Sequence, residues 1–194
     1  NGMTLPAEIP QYLNRHKRCI FLGRLASDKN VLQLAVAAEQ SMLYTDYYLD
    51  IYGKGDQQED LVRLLQDRGL KHVSYKGFVE NTFELLPHYG WLLLPSEAEG
   101  LSNAMLEAMA CGVVPLATRV SGCLDHIIPG ETGHFFADTS VQSLADGVSQ
   151  ICATSEDIWR VLSGNVRRYS VARFSIDHVA DEYVSLYQRL QGKG

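Results

Sequence analysis

The 194-residue sequence predicts an α/β fold with a parallel, doubly wound sheet of about six strands flanked by helices. Short apolar runs alternate with segments of helical period along the chain, a pattern typical of strands joined by helical crossovers. The first run, Cys19-Ile20-Phe21-Leu22, is continuous, as expected for a strand that is buried on both faces. Right-handed crossovers are expected, and the common strand order for such a sheet is 3-2-1-4-5-6.

Each element has its own signal in the sequence. Residues 1–16 contain two prolines and no sustained period, so they are predicted to form a linker or arm, and the domain is predicted at 17–194. Strands are predicted at 18–25, 47–52, 73–78, 92–94, 113–118 and 133–137. Helices are predicted at 31–42, before Gly69, before Pro87 and before Gly112, and from Val141 onward with breaks near Thr154 and Ser175.

Charge and composition exclude several classes of function. The net charge of -6 argues against a general nucleic-acid binder, because phosphate contacts require a basic face. No apolar run approaches bilayer length, and the first residues show no signal peptide. The four cysteines are scattered without a C-x-x-C pair, so they are interpreted as small apolar residues in a reducing compartment. The histidines lack metal-ligand spacing, so no metal site is predicted.

The expected strand order places a ligand crevice between strands one and four, at their C-terminal ends. The loops that leave these strands, residues 23–30 and 96–102, both combine small residues with charged ones. The first loop offers Arg24 and Lys29, a pair that suits a diphosphate. The second offers backbone N–H groups of Gly100, Leu101 and Ser102 at the start of a helix, where an anion is favoured.

Two acids accompany this predicted phosphate site. Glu99 lies in the second loop and Glu107 lies in the helix that follows it. A carboxylate repels phosphate but accepts hydrogen bonds from sugar hydroxyls, each worth about 1.5–3 kcal/mol. A diphosphate with hydroxyls on both sides describes a nucleotide-sugar. A dinucleotide site is less favoured, because Gly53-Lys54-Gly55 is followed by Gln58 where the third glycine of that fingerprint would stand.

Residues 99–107, Glu-Gly-Leu-Ser-Asn-Ala-Met-Leu-Glu, resemble the E-x7-E motif of GT-B glycosyltransferases, most closely the retaining GT4 family. Gly23-Arg24-Leu25 with Lys29 resembles the G-R-L-x-x-x-K segment of that family. Two positions depart from its pattern: Asn30 replaces a usual glycine, and Gly100-Leu101-Ser102 replaces a frequent Gly-Phe-Gly. Segments 114–118, 130–133 and 173–175 are also similar, in the same order, so the resemblance covers nearly the whole chain.

The resemblance implies the C-terminal, Rossmann-like half of a GT-B fold and assigns roles to its residues. Glu99 would contact the transferred sugar, and Arg24 and Lys29 would neutralise the leaving diphosphate without a metal ion. Glu107 would bind the ribose hydroxyls, and backbone from Gly100 through Leu101 to Ser102 would meet the sugar and phosphates. The remaining donor-binding positions are Gly23 in the first loop, Phe78 and Val79 at the base, and Gly53 close to the base.

The implied reaction is transfer of a hexose-type sugar, with retention, from a UDP- or GDP-sugar to a glycan or lipid-linked acceptor. No cofactor is expected. Residues 1–16 would be an interdomain linker, the acceptor-binding half would lie upstream, and the chain alone would transfer nothing. The location is expected to be cytoplasmic, with peripheral association at the inner face of a membrane as an open alternative. A non-catalytic nucleotide-binding or interaction module and a sugar-nucleotide epimerase are alternative functions.

Overall fold

A computed structural model describes residues 3, 5–6, 9–10, 12–100, 102–176, 180 and 188. The described residues form a six-stranded, fully parallel sheet in the order β3-β2-β1-β4-β5-β6. This confirms the predicted fold class, and the strand order is the common one on which the expected crevice depends. The strands are β1 (Arg18–Leu22), β2 (Tyr48–Tyr52), β3 (Val73–Gly77), β4 (Trp91–Leu94), β5 (Val114–Ala117) and β6 (His134–Phe135).

Seven α-helices lie in the described residues. They are α1 (Val31–Met42), α2 (Gln58–Arg68), α3 (Thr82–Leu85), α4 (Asn103–Ala110), α5 (Ser121–Leu124), α6 (Val141–Cys152) and α7 (Glu156–Phe174). The predicted breaks near Thr154 and Ser175 match the gap before α7 and its C-terminal cap. Most of the predicted helical segment after 176 lies outside the described residues. None of the helices in the described part of the chain is long and apolar enough to span a membrane.

The first strand ends three residues earlier than predicted, for a reason that lies outside its own sequence. Leu25 N donates to the Lys54 carbonyl at 2.9 Å, and its own carbonyl accepts from Gln57 N at 2.9 Å. These bonds join Leu25 to the loop before α2 instead of the strand ladder. Leu25 is nevertheless fully buried, which accounts for the apolar signal that extended the predicted strand.

The core covers both faces of the central strands. Phe21 in β1 and Trp91 in β4 are 1% and 0% exposed. Helix α1 packs against α6, and α4 packs against α7, so each helix pair buries apolar surface. Arg15 and His16, within the predicted linker, are also buried. The C-terminal ends of β1 and β4 are thereby held in a rigid frame.

Burial changes the acid–base behaviour of several side chains inside this frame. It lowers the pKa of three histidines, which are His16, His126 and His134. It raises the pKa of Cys111 to about 11 and that of Cys123 to about 12. The thiols are therefore protonated near neutral pH, in keeping with a packing role.

Candidate functional site

A cavity of about 570 Å³ opens between the C-terminal ends of β1 and β4, at the crevice that the strand order predicts. Its walls are the loop between β1 and α1 (23–30), the loop between β4 and α4 (95–102), and the first residues of α4. Six residues singled out from the sequence line the cavity. They are Gly23, Arg24, Lys29, Glu99, Gly100 and Ser102.

The two loops are joined directly, through Asn30. This residue has φ 51° and ψ 33°, a left-handed conformation that glycine adopts most easily and asparagine next. Its buried side-chain amide donates from Nδ2 to the Pro95 carbonyl at 3.0 Å, and Glu97 N donates to the Asp28 carbonyl at 2.8 Å. The departure from the family pattern at Asn30 is therefore accommodated, and it adds a bond that glycine lacks.

Two cations share one carboxylate in the first loop. Asp28 Oδ2 lies 3.5 Å from Arg24 Nη2 and 3.6 Å from Lys29 Nζ. The Arg24 side chain is 71% exposed, whereas that of Lys29 is 12% exposed. Arg24 can therefore turn toward an incoming anion, while Lys29 is already held inside the cavity.

Glu99 is the acid that faces these cations across the crevice. Its Oε1 accepts from Lys29 Nζ at 2.8 Å and from Ser96 Oγ at 2.8 Å, and its side chain is 15% exposed. Lys29 Nζ also donates to the Ala98 carbonyl at 3.1 Å. The ion pair thus holds the second loop against the first.

The helix start beneath Glu99 supplies further hydrogen-bond donors. Ser102 is the N-cap of α4, and its Oγ accepts from Met105 N at 3.4 Å. The first residues of α4, Asn103 and Ala104, line the cavity, where early helical N–H groups lack intrahelical partners. The macrodipole of α4 also favours an anion at this end. Leu101, predicted to contribute a backbone N–H, lies outside the described residues.

The remaining predicted site residues in the described part of the chain are not among the residues that line the cavity. Glu107, farther along α4, accepts at Oε2 from Thr82 Oγ1 at 2.8 Å, at the start of α3. Phe78 is 54% exposed, with Lys54 Nζ 4.2 Å from its ring centroid, and Val79 packs against the core. The Thr82 bond joins α3 to α4, which also pack against each other, and we refer to Glu107, Phe78 and Val79 as the flank.

The close packing of two loops requires a glycine at position 53. It has φ 154°, and a Cβ added there would lie 1.9 Å from the Gly23 carbonyl oxygen. Any larger residue would push apart the two loops that follow β1 and β2. Gly53 is thus required for the position of Gly23, whether or not it also contacts a ligand.

Several residues of the site carry no isolated signal in the sequence. Asp28 stands inside the first loop but is identified as the shared partner of the two cations only by the distances. Ser96 hydrogen-bonds to Glu99, Thr82 to Glu107, and Thr118 Oγ1 to the Ser96 carbonyl. The contact of Ser96 lies within one loop, whereas those of Thr82 and Thr118 join segments whose approach depends on tertiary structure.

A second cavity, of about 400 Å³, lies beside α6 and differs in charge. Its ionisable lining residues are Asp138 and Asp146, and no lysine or arginine is among the described residues that line it. It therefore offers no complement to a phosphate. Among the described residues, no group of three or more His, Cys, Asp or Glu is arranged to hold a metal ion.

The fully parallel sheet, with a crevice of paired charges and a helix N-terminus at its C-terminal edge, defines a Rossmann-like α/β domain. The family can be stated more narrowly. Residues 9–159 match the family model described as Glycosyl transferases group 1, and the chain belongs to that family.

Curated relatives extend well beyond this chain. It is 27% identical over 172 residues to N-acetyl-alpha-D-glucosaminyl L-malate synthase of Bacillus anthracis, covering 88% of the chain and 45% of that protein. It is 26% identical over 175 residues to alpha-D-kanosaminyltransferase of Streptomyces kanamyceticus, with the same two coverages. The chain therefore spans about half the length of these relatives.

Solved structures share the fold at low sequence identity. TarM of S. aureus, in a complex that contains UDP, has a TM-score of 0.83 at 19% identity, covering 96% of this chain and 38% of TarM. The C-terminal domain of the glycosyl transferase group 1 family protein LpcC from Francisella tularensis has a TM-score of 0.74 at 20% identity. That match covers 87% of this chain and 96% of the LpcC domain.

Proposed function

We propose that this chain is the C-terminal, donor-binding domain of a retaining glycosyltransferase of the GT4 type, which binds a UDP- or GDP-sugar. The observation that carries the proposal is the crevice in which Arg24, Lys29 and Glu99 meet the N-terminus of α4. Cations and helix N–H groups suit a diphosphate, and the carboxylate suits sugar hydroxyls.

The leaving diphosphate develops negative charge during transfer, and this chain supplies the groups that stabilise it. Lys29 is a nearly buried point charge, and Arg24 is an exposed fork that can close over two phosphate oxygens. Donors aimed at developing charge lower the barrier most when they are already in position. Together with the first N–H groups of α4, they stabilise the negative charge that a divalent ion stabilises at other diphosphate sites.

Glu99 changes partners when a donor enters. Without a ligand, Lys29 neutralises its carboxylate at 2.8 Å. A diphosphate competes for Lys29, and the carboxylate then accepts from the hydroxyls of the transferred sugar while Ser96 retains its bond to Oε1. The ion pair therefore keeps both side chains in the site until the donor replaces it.

The flank of Glu107, Phe78 and Val79 binds the nucleoside part of the donor. Glu107 has its Oε2 fixed by Thr82, which leaves lone pairs for ribose hydroxyls. Backbone of Phe78 and Val79 would hold the base. Several similar structures are complexes with UDP, as in TarM and in HepE of Anabaena, and this supports a uridine donor.

The acceptor is proposed to bind to another part of the full protein. The chain covers 45% of its curated relatives and matches a domain described as C-terminal over nearly its whole length. A hexose-type sugar would pass, with retention, to a glycan or lipid-linked acceptor held by an N-terminal half, in the cytoplasm or at a membrane's inner face. The chain alone should bind donor and transfer nothing.

Saturation-transfer NMR of the chain with UDP, GDP and ADP tests the proposal. We expect contacts to the ribose and base protons of at least one nucleotide, and their loss in Glu107→Ala. Absence of contact with all three nucleotides, or binding that is unchanged in Glu107→Ala, would refute it. Turnover of a UDP-sugar by the full-length protein without an acceptor would favour the epimerase instead.

A further inference from the structure

Helix α5 contacts the backbone of the predicted sugar-binding loop from outside the cavity. Gly122 N donates to the Glu99 carbonyl at 3.2 Å, and Ser121 Oγ donates to the same oxygen at 3.1 Å. Neither Ser121 nor Gly122 is among the described residues that line the cavity. Both therefore act on the loop and not on a ligand.

Position 122 also has no room for a side chain. A Cβ added to Gly122 would lie 1.4 Å from the Gly100 carbonyl oxygen and 2.5 Å from its carbonyl carbon. These are backbone atoms, so no rotamer change relieves the clash. The Gly100 peptide would have to move by more than about 1 Å. A misplacement of that size can lower the reaction rate at a site by about 100-fold.

The side chain and the backbone of Glu99 are thus held by separate groups. Lys29 and Ser96 hold the carboxylate, whereas Ser121 and Gly122 hold the carbonyl. The carboxylate can exchange Lys29 for a ligand while the peptide stays in place. The bonds of Ser121 and Gly122 to the Glu99 carbonyl remain constant through that exchange, as does the Ser96 bond to Oε1.

We propose that Ser121 and Gly122 are positioning residues for the sugar part of the donor. They fix the Glu99–Gly100 peptide so that the Glu99 carboxylate and the Gly100 N–H face the transferred sugar. This inference rests on the proposed function. It predicts that disturbing α5 weakens recognition of the sugar more than recognition of the nucleotide, since Arg24 and Lys29 belong to a different loop.

Calorimetric titration of UDP and UDP-glucose into the chain separates the two contributions. In Gly122→Ala the affinity for UDP-glucose should fall by about tenfold or more, while that for UDP changes by less than about threefold. Ser121→Ala adds no atom and removes one hydrogen bond. It should lower the affinity for UDP-glucose by about two- to fivefold and leave the affinity for UDP unchanged. This variant keeps the test decisive if Gly122→Ala does not fold.

Gly147→Ala is the matched control. A Cβ there would lie 2.6 Å from the Phe136 ring, in the core beside α6, so the variant should lose thermal stability but keep both affinities. Equal affinities for UDP-glucose in wild type, Gly122→Ala and Ser121→Ala would overturn the inference. Equal losses in Gly147→Ala would overturn it too, because they would trace to stability alone. A wild-type chain that binds neither ligand would instead refute the proposed function, and the inference with it.

Discussion

Replacing Glu99 by glutamine should tighten the binding of UDP and lower the affinity for UDP-glucose relative to that for UDP. Glu99 Oε1 forms an ion pair with Lys29 Nζ at 2.8 Å in the ligand-free protein. A diphosphate must therefore displace this carboxylate before it can bind to the lysine. Glutamine removes the competing charge but is nearly the same size. The sugar part of a nucleotide-sugar loses its charged acceptor in the same variant.

The magnitude follows from the contact. A charged hydrogen bond contributes about 1.5–3 kcal/mol net, and a neutral one from glutamine about 1 kcal/mol. The difference released to the diphosphate is about 0.5–2 kcal/mol, which is a tightening of about 2- to 30-fold for UDP. The diphosphate of UDP-glucose gains the same free energy, but the sugar hydroxyls lose their charged hydrogen bonds to Glu99. The affinity for UDP-glucose relative to that for UDP should therefore fall.

Calorimetric titration of UDP and UDP-glucose at low ionic strength measures both effects. Glu97→Gln is the matched control, because it removes one negative charge from the same loop without a bond to Lys29, its carboxylate lying 3.5 Å from Asn30 Nδ2. UDP affinity that is unchanged or lower in Glu99→Gln, in a protein that melts as the wild type does, would refute the reasoning. An equal gain in Glu97→Gln would assign the effect to overall charge.

Three further predictions concern the site and its frame. Asn30→Gly should lose the side-chain hydrogen bonds to Pro95 and Glu97, whereas Asn30→Ala should be about 1 kcal/mol less stable again, because alanine is strained at φ 51°; urea unfolding measures the difference. Thr82→Val removes the hydroxyl that orients Glu107, so UDP should bind about two- to fivefold more weakly in titration, and an unchanged affinity would contradict a nucleoside role for that flank. Burial lowers the pKa of His16, His126 and His134 in the folded protein, so below about pH 6.5 the unfolded state binds more protons than the folded state. The unfolding free energy should therefore fall as the pH is lowered from about 7 to about 5. His134→Gln should flatten that slope in urea titrations.

The sequence predicts the fold well because each strand has a local signal. Continuous apolar runs mark strands that are buried on both faces, and their alternation with helices determines a parallel order. The end of β1 is different. Leu25 is apolar and buried, yet its backbone bonds go to another loop, and no local pattern reports such a bond.

The sequence also predicts which residues meet at the crevice, because topology alone brings two loops to one edge of the sheet. It does not predict how those residues pair. The bond from Ser121 to the Glu99 carbonyl spans 22 positions and depends on where α5 begins. Likewise, Asn30 departs from the family pattern in sequence but keeps the backbone conformation, and only the dihedral angles reveal it.

Asp28 gives the crevice a built-in counter-ion. Its carboxylate lies within 3.6 Å of both cations and Glu99 also pairs with Lys29, so the two positive charges are already balanced when no ligand is present. A small anion of single charge gains little by displacing a carboxylate of equal charge from two partners. A diphosphate brings more charge and a second set of oxygens, and it can engage Arg24, Lys29 and the start of α4 together. We therefore expect Asp28 to disfavour singly charged anions such as chloride and to favour ligands with two linked phosphates.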